Sequence, residues 1–321
     1  MVKNKKIRVA VLMGGPSSEY EVSLKTGEMV IKNLDKRKFT AFPIKIEKDG
    51  TWPISLADLK EKCGVAFIAM HGEYGEDGQL QGTLETFQIP YTGSDPIASA
   101  LAMNKQKTAL LLTKNGLLTP KSISLSKTDP YLDWVINKNF KTPFVIKPAD
   151  RGSSVGISIV RKNQELKKAL TNAFQYSNTA IAQNYIQGKE LTCGVLEING
   201  NPIPLVPTEI TPKTSEYFDY YAKYNTNGSE EITPPRLPDR TIRQIQMAAL
   251  KAHKLLNCSG MSRTDMILQG DNLHILEVNT IPGMTEASLL PQQTKAMGIE
   301  FPQLLELIIR SALQKHGPDT R

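Results

Sequence analysis

The chain has 321 residues, 40% hydrophobic and 22% charged, with 39 Lys and Arg against 32 Asp and Glu and a net charge of +7. That length predicts about two domains, or three small ones, large enough to bury cores without staples. The composition excludes collagen-like, disordered and disulfide-scaffold classes, and no apolar run approaches the roughly 20 residues of a membrane span.

The basic residues are spread along the chain, densest only at Lys3, Lys5, Lys6 and Arg8. Such dispersal reads as a solvated surface rather than a nucleic-acid patch, although the surplus suits phosphates and carboxylates as ligands. Cys63, Cys193 and Cys258 lie far apart and form no C-x-x-C. That usage fits a reducing compartment, so a cytoplasmic location is expected.

In chain order, residues 7–13 read as a buried strand rather than a signal peptide. A Gly-Gly-Pro-Ser-Ser turn and a helix over about 16–34 follow, then strands over 41–46 and 65–70. Near-continuous apolar strands alternating with helices predict a parallel sheet covered on both faces. A helix over about 98–115 leads to strands over 143–147 and 156–160, a helix over 163–174 and a strand over 179–185. Further strands are expected over 191–197, 202–206, 263–268 and 272–279, with helices over 240–256 and 302–315. The tyrosine-rich stretch 211–238 reads as an irregular segment of the length that often forms a lid.

Four segments carry chemistry. KPADRGSSVG (147–156) places Lys147 at the end of a buried strand before a loop of small residues. Small residues let backbone N–H groups approach phosphate oxygens, and a lysine neutralises their charge. An ordinary Gly/Ser hairpin reads the same way. RTD (263–265) and EVN (277–279) sit on adjacent strands. Antiparallel pairing would bring Asp265, Glu277 and Asn279 together, hard oxygen donors of the kind Mg²⁺ prefers. The alternative is the exposed face of a half-buried strand. HGEYGEDG (71–78) follows a strand, where ligands of open α/β sheets bind; Asp77 also suits the cap of a helix starting near Gln79. GGPSSEYEVS (14–23) is a strand–turn–helix unit without the G-x-G-x-x-G spacing of a dinucleotide site.

Together with MNK (103–105), YIQGKELT (185–192), DYYAKY (219–224) and EVNTIPGMT (277–285), these segments run in one order over residues 9–314. In that order the sequence resembles the D-alanine–D-alanine ligases of the ATP-grasp superfamily. The resemblance implies an α/β fold, with an N-terminal parallel-sheet domain (1–100), a central ATP-grasp domain (101–187) and a C-terminal ATP-grasp domain (188–321). The last would carry a lid at 212–238. It implies ATP-dependent joining of two D-alanines through a D-alanyl phosphate, for peptidoglycan and the cell wall. The enzyme would use ATP and two Mg²⁺, or Mn²⁺, and form a homodimer with no nucleic-acid or membrane partner.

Carried over residue by residue, the resemblance implies that Lys105, Lys147 and the Ser153–Ser154 backbone hold the phosphates, with Lys223 reaching the transferred one. Glu190 would bind the ribose, and Gln183, Tyr185 and Ile186 would surround the adenine. Asp265, Glu277 and Asn279 would hold metal. Arg263 and the Gly283 N–H would form the oxyanion site. Glu19 and His71 would bind the first substrate, Ser288 and Leu289 the second, and Glu19, Ser153 and Tyr224 would form a hydrogen-bonded triad. Tyr224 goes with D-alanine as acceptor; phenylalanine there goes with D-lactate. Gln183-Asn184 depart from the family's usual Glu-Lys, and an amide can still accept from an adenine amino group. Asp150-Arg151 also depart and are expected to face solvent. The competing readings are a ligase with D-lactate or D-serine as acceptor, and a catalytically silent nucleotide-binding module.

Overall fold

A computed structural model describes residues 6–152, 155–213, 228–285 and 288–317. The first unit is β1 (Ile7–Gly14), α1 (Tyr20–Asn33), β2 (Phe39–Ile46), α2 (Leu56–Lys62), β3 (Val65–Ile68) and α3 (Gln79–Thr86). Its sheet is parallel, in the order β2-β1-β3. Val9 through Gly14 and all of β3 are buried, so both sheet faces are covered and these stretches are apolar. The C-terminal ends of β1 and β3 therefore open side by side. The turn before Glu19 and the loop that starts at His71 share that edge.

The helix expected over 98–115 is two helices, α4 (Pro96–Met103) and α5 (Lys105–Lys114). The break is Asn104, whose side chain accepts from the Lys107 N–H at 3.0 Å and caps α5. Asp95 caps α4 in the same way, accepting from the Ala98 N–H at 2.7 Å.

Two antiparallel sheets follow. One has β4 (Ser122–Ser126), β5 (Phe144–Pro148), β6 (Ser158–Val160) and β7 (Thr179–Asn184), in the order β4-β7-β5-β6. Helices α6 (Leu132–Asn139) and α7 (Leu166–Ala173) bury Ile136, Leu166, Ala169 and Leu170 in the core of this unit. The sixth strand is shorter than expected. Gly156 has φ +72°, which ends the turn before extended pairing begins at Ser158.

The other sheet has β8 (Lys189–Ile198), β9 (Asn201–Pro204), β10 (Thr208–Pro212), β11 (Ser229–Ile232), β12 (Met261–Gln269) and β13 (Asn272–Asn279). Its order is β11-β10-β8-β12-β13, with β9 also paired to β8. Helix α8 (Asp239–Leu255) buries Ile245, Ala248, Ala249 and Ala252, the spacing of one helical face. Helices α9 (Leu289–Ala296) and α10 (Phe301–His316) complete the chain. Leu304, Leu305, Ile308 and Ile309 of α10 belong to the same buried cluster as β1 and β3, so the last helix closes the first sheet's core.

The segment 211–238 is not irregular throughout. Thr211 and Pro212 still belong to β10, and Ser229–Ile232 pairs antiparallel with it. The expected lid thus begins on β10 and contains β11, with 233–238 leading on to α8, and its portion 214–227 lies outside the described residues. All three cysteines are free thiols, two of them buried.

Candidate active site

The two antiparallel sheets face each other across a cleft. Val145, Ile157 and Ile159 line it from one side, and Leu191, Ile210, Met266 and Leu276 from the other. Of the expected nucleotide residues, Lys147, Gln183, Tyr185, Ile186 and Glu190 all line this cleft, joined by Asp265 and Glu277 at one end. The topology explains the convergence. Lys147 and Gln183 lie on adjacent strands, with Val145 opposite Gln183. Glu190 of β8 is opposite both Ile210 and Ile267. Gln183 and Lys147 are buried, and the Arg161 guanidinium lies 5.8 Å from the Tyr185 ring centroid. Apolar walls with a few polar groups at defined depths suit a base, a sugar and phosphates.

At the acidic end β12 and β13 pair as expected, with Asp265 opposite Glu277 and Arg263 opposite Asn279. Asp265 is crowded with donors. Arg263 Nε and Nη2 donate to its two oxygens at 2.9 and 2.8 Å, Thr192 Oγ1 donates at 2.7 Å, and Asn279 Nδ2 donates at 3.1 Å. The Lys105 ammonium lies 3.3 Å from Glu277 Oε2 and donates to the Arg151 carbonyl at 2.6 Å. Two carboxylates and an amide therefore share one spot with two cations. Among the described residues no group of three or more His, Cys, Asp or Glu could hold a metal. The donor chemistry still fits Mg²⁺, which commonly takes one or two carboxylates and completes its shell with phosphate oxygens and water.

The opposite side of this end is built from the first sheet. Glu19 is buried just before α1. A Cβ on Gly152 would lie 2.9 Å from Glu19 Oε1, so the loop between β5 and β6 and this carboxylate approach closely. His71 is buried, with Nε2 2.8 Å from Thr26 Oγ1 and Nδ1 3.1 Å from the Ile281 carbonyl. The Glu76 carboxylate lies 3.6 Å from the same Nδ1. Burial pushes the imidazole pKa down, but the neighbouring Glu76 and Glu19 outweigh it and hold it above the ordinary value. Burial in turn holds the Glu76 carboxyl above its usual range. His71 therefore faces its own neighbours and fixes the 281–283 loop. The cap residue of α3 is Gly78 rather than Asp77; Asp77 lies just before it and accepts from the Tyr74 and Gln79 N–H groups.

Beyond that loop, Ser288 Oγ accepts from the Thr285 N–H at 3.1 Å and lies where a Cβ on Gly283 would come within 2.8 Å. Leu289 packs on Ile210. Gly283, Ser288 and Leu289 thus stand together at the start of α9. Arg263 lies on β12, opposite Asn279 at the end of the strand that leads into this loop. Ser153, Ser154, Lys223 and Tyr224 lie outside the described residues, so the structure leaves the expected triad represented by Glu19 alone.

Arg151 corrects an expectation. Its side chain is turned inward. Nη1 pairs with Glu73 Oε1 at 2.6 Å and Nε donates to the Tyr176 carbonyl at 2.6 Å. A guanidinium within reach of both a carboxylate and a carbonyl satisfies two of its donors there, which draws it off the solvent. Asp150 is exposed as expected. Sequence reasoning also missed Thr192, Thr26 and Gln293. Gln293 ties α9 to the sheet, accepting from the Gly194 N–H at 2.7 Å and donating to the Thr192 carbonyl at 3.1 Å. An isolated buried amide or hydroxyl carries no pattern in the sequence.

Comparison with known proteins matches this architecture. The family model "D-ala D-ala ligase C-terminus" covers residues 111–310, and "D-ala D-ala ligase N-terminus" covers 8–62 and 53–94. A D-alanine–D-alanine ligase of Syntrophobacter fumaroxidans is 43% identical over 319 residues, covering 98% of this chain and 100% of that protein. One from Pelotomaculum thermopropionicum is 41% identical, covering 97% and 98%. Among solved structures, a D-alanine–D-alanine ligase from Bacillus anthracis superposes with a TM-score of 0.84 at 38% identity, covering 97% of this chain and 98% of that one. The VanG D-Ala:D-Ser ligase from Enterococcus faecalis gives 0.86 at 33% identity, covering 96% and 100%. The α/β, ATP-grasp architecture expected from the sequence is the fold of these neighbours. The chain belongs to the D-alanine–D-alanine ligase family.

Proposed function

We propose that this chain joins two D-alanines to D-alanyl-D-alanine at the expense of ATP, supplying a cell-wall precursor. The observation that carries the reading is one continuous cleft. Lys147, Gln183, Tyr185 and Glu190 line its body, and Asp265 and Glu277 close its end. A B. anthracis D-alanine–D-alanine ligase structure complexed with ATP, 34% identical with a TM-score of 0.79, supports ATP as the nucleotide.

In this reading Gln183 and Ile186 hold the adenine, Tyr185 stacks beside it and Glu190 takes the ribose hydroxyls. Lys105 and Lys147 neutralise the phosphates, with Ser154 and Lys223 contributing from the loop and the lid. Asp265, Glu277 and Asn279 would hold two Mg²⁺, which would neutralise charge on the phosphates. Glu19 orients the first D-alanine, and His71, held by Thr26 and the Ile281 carbonyl, positions the wall beside it. Its carboxylate oxygen attacks the γ-phosphorus, the bond to the ADP oxygen breaks, and an acyl phosphate forms. The amine of the second D-alanine, placed by Ser288 and Leu289, attacks the acyl carbon. Arg263 and the Gly283 N–H receive the developing oxyanion. The C–O bond to phosphate then breaks, phosphate leaves, and the amine gives up its proton.

The three domains over 1–100, 101–187 and 188–321, the lid over 212–238, a cytoplasmic location and a homodimer complete the proposal. Within the described residues no helix is long and apolar enough to cross a membrane. Tyr224 and Ser153, with Glu19, would close the lid and favour an amine acceptor. D-alanine labelled with ¹⁸O in its carboxylate tests the chemistry. Label in the released phosphate supports the acyl phosphate route; phosphate free of label contradicts it.

A further inference from the structure

The loop between β5 and β6 belongs to the second sheet, yet its Arg151 side chain reaches the first unit. Arg151 Nη1 reaches Glu73 Oε1 at 2.6 Å, with the two side chains 32% and 19% exposed. The other Glu73 oxygen accepts from Ser17 Oγ at 3.0 Å and from the Ser18 N–H at 3.4 Å. Ser17 Oγ in turn accepts from the Glu19 N–H at 3.0 Å. On the loop side, the Arg151 carbonyl accepts from Lys105 Nζ at 2.6 Å, and that ammonium lies 3.3 Å from Glu277. The next residue, Gly152, sits so close to Glu19 that a Cβ there would be 2.9 Å from its carboxylate.

The geometry points to Arg151 and Glu73 as a latch that locks the phosphate loop onto the first-substrate side of the site, making Arg151 a positioning residue for nucleotide binding. It rests on the nucleotide reading of the cleft given above. The physical reason is the fork of the guanidinium. Nη1 holds Glu73 while Nε holds the Tyr176 carbonyl, so one side chain fixes the loop to two anchors at once. Glu73 is pre-set by Ser17 and Ser18, so little freedom is lost when the pair forms. Through Ser17 the same chain of contacts reaches the backbone of Glu19. Binding of phosphate and of the first substrate would thus share one rigid frame.

The test measures ATP affinity without D-alanine and amide hydrogen exchange at Gly152, Val155 and Gly156. The proteins are the wild type, Arg151→Met, Glu73→Gln, the double variant, Arg151→Lys and the control Lys147→Ala. Partly exposed coupled pairs of this kind predict a weakening of ATP binding of about five- to tenfold in each single variant. Exchange should rise at all three amides, KM for ATP should rise, and kcat at saturating ATP should stay within about twofold. The double variant should be no weaker than the worse single one, the signature of a shared contact. Lys keeps the charge but not the fork, so Arg151→Lys should recover part of the affinity. The latch is overturned if both single variants bind ATP and exchange as the wild type does, or if their effects multiply in the double variant. If Lys147→Ala binds ATP as tightly as the wild type, the nucleotide reading fails and the latch with it. If Lys147→Ala weakens binding and Arg151→Met does not, the latch alone fails. Glu73→Gln keeps its acceptor oxygen for Ser17, which guards the test against a misfolded Arg151 variant.

Discussion

Thr192→Val isolates the carboxylate that the account gives to the metal. Thr192 is fully buried on β8, and its hydroxyl lies 2.7 Å from Asp265 Oδ1 and 3.3 Å from the Thr264 carbonyl. A hydroxyl has one hydrogen, and the shorter, charge-assisted contact takes it. Valine keeps the shape and removes the donor. Asp265 would then retain Arg263 and Asn279 only. Hydrogen bonds to charged groups contribute about 1.5–3 kcal/mol, and the Asp265 side chain is only 16% exposed, so solvent replaces little of it. Urea unfolding should therefore register a loss of about 1.5–3 kcal/mol. Groups that orient a metal ligand typically change metal affinity by about 10–100-fold, or about 1.4–2.8 kcal/mol, which matches the same bond. The Mg²⁺ concentration for half-maximal phosphate release should rise by about that factor, with kcat at saturating Mg²⁺ close to wild type. Thr192→Ser should restore both. A variant that loses stability but keeps the wild-type Mg²⁺ dependence would refute Asp265 as a ligand. One that keeps both would refute the contact itself.

Further outcomes follow from other parts of the molecule. Burial holds His253 down at about 4, its Nδ1 is 2.8 Å from Ser262 Oγ, and its Nε2 has no partner. The folded ring stays neutral while the unfolded chain takes up a proton below about pH 6.5, so stability present above that pH is lost as pH falls towards 4. By pH 5 this contributes a loss of about 2 kcal/mol. His253→Gln should lose correspondingly less between pH 8 and 5, and equal slopes in urea unfolding would refute the argument. A Cβ on Gly188 would lie 2.2 Å from the Leu268 carbonyl oxygen, which cannot move aside. Gly188→Ala should destabilise by at least about 1–3 kcal/mol, whereas Gly82→Ala, in α3 with nothing within 4 Å, should stabilise by about 0.5–1 kcal/mol. The same sign in both would contradict the packing described. Tyr224→Phe should raise ester formation with D-lactate at low pH, since the hydroxyl proposed to discriminate between acceptors is lost. An unchanged partition between amine and hydroxyl acceptors would sink that assignment.

Much of this site is legible in the sequence because its chemistry sits where local patterns are strongest. β1 from Val9 onward and β3 are continuous apolar runs, so the ends that carry Glu19 and His71 could be placed without a structure. Strict alternation put Glu277 and Asn279 on one face, and the antiparallel register then brought Asp265 opposite Glu277. Most of what could not be read depends on partners distant in the chain, and one break on a local cap. β11 is SEEI, polar at three of its four positions, and becomes a strand only because β10 offers it an edge. The break at Asn104 is a cap that competes with an otherwise unbroken helical pattern. Arg151 looked like a surface residue because its partners, Glu73 and Tyr176, are 78 positions before and 25 after it. Thr26 meets His71 across 45 positions for the same reason.

The most direct test of the central claim is the mass of the product formed from Mg-ATP and D-alanine, with L-alanine and a D-alanine plus D-lactate mixture run beside it. D-alanyl-D-alanine with one phosphate released per dipeptide is expected, with no product from L-alanine and little ester from the mixture at neutral pH. ATP binding without any D-alanine-dependent phosphate release, or a product that lacks the D-alanyl-D-alanine mass, would contradict it.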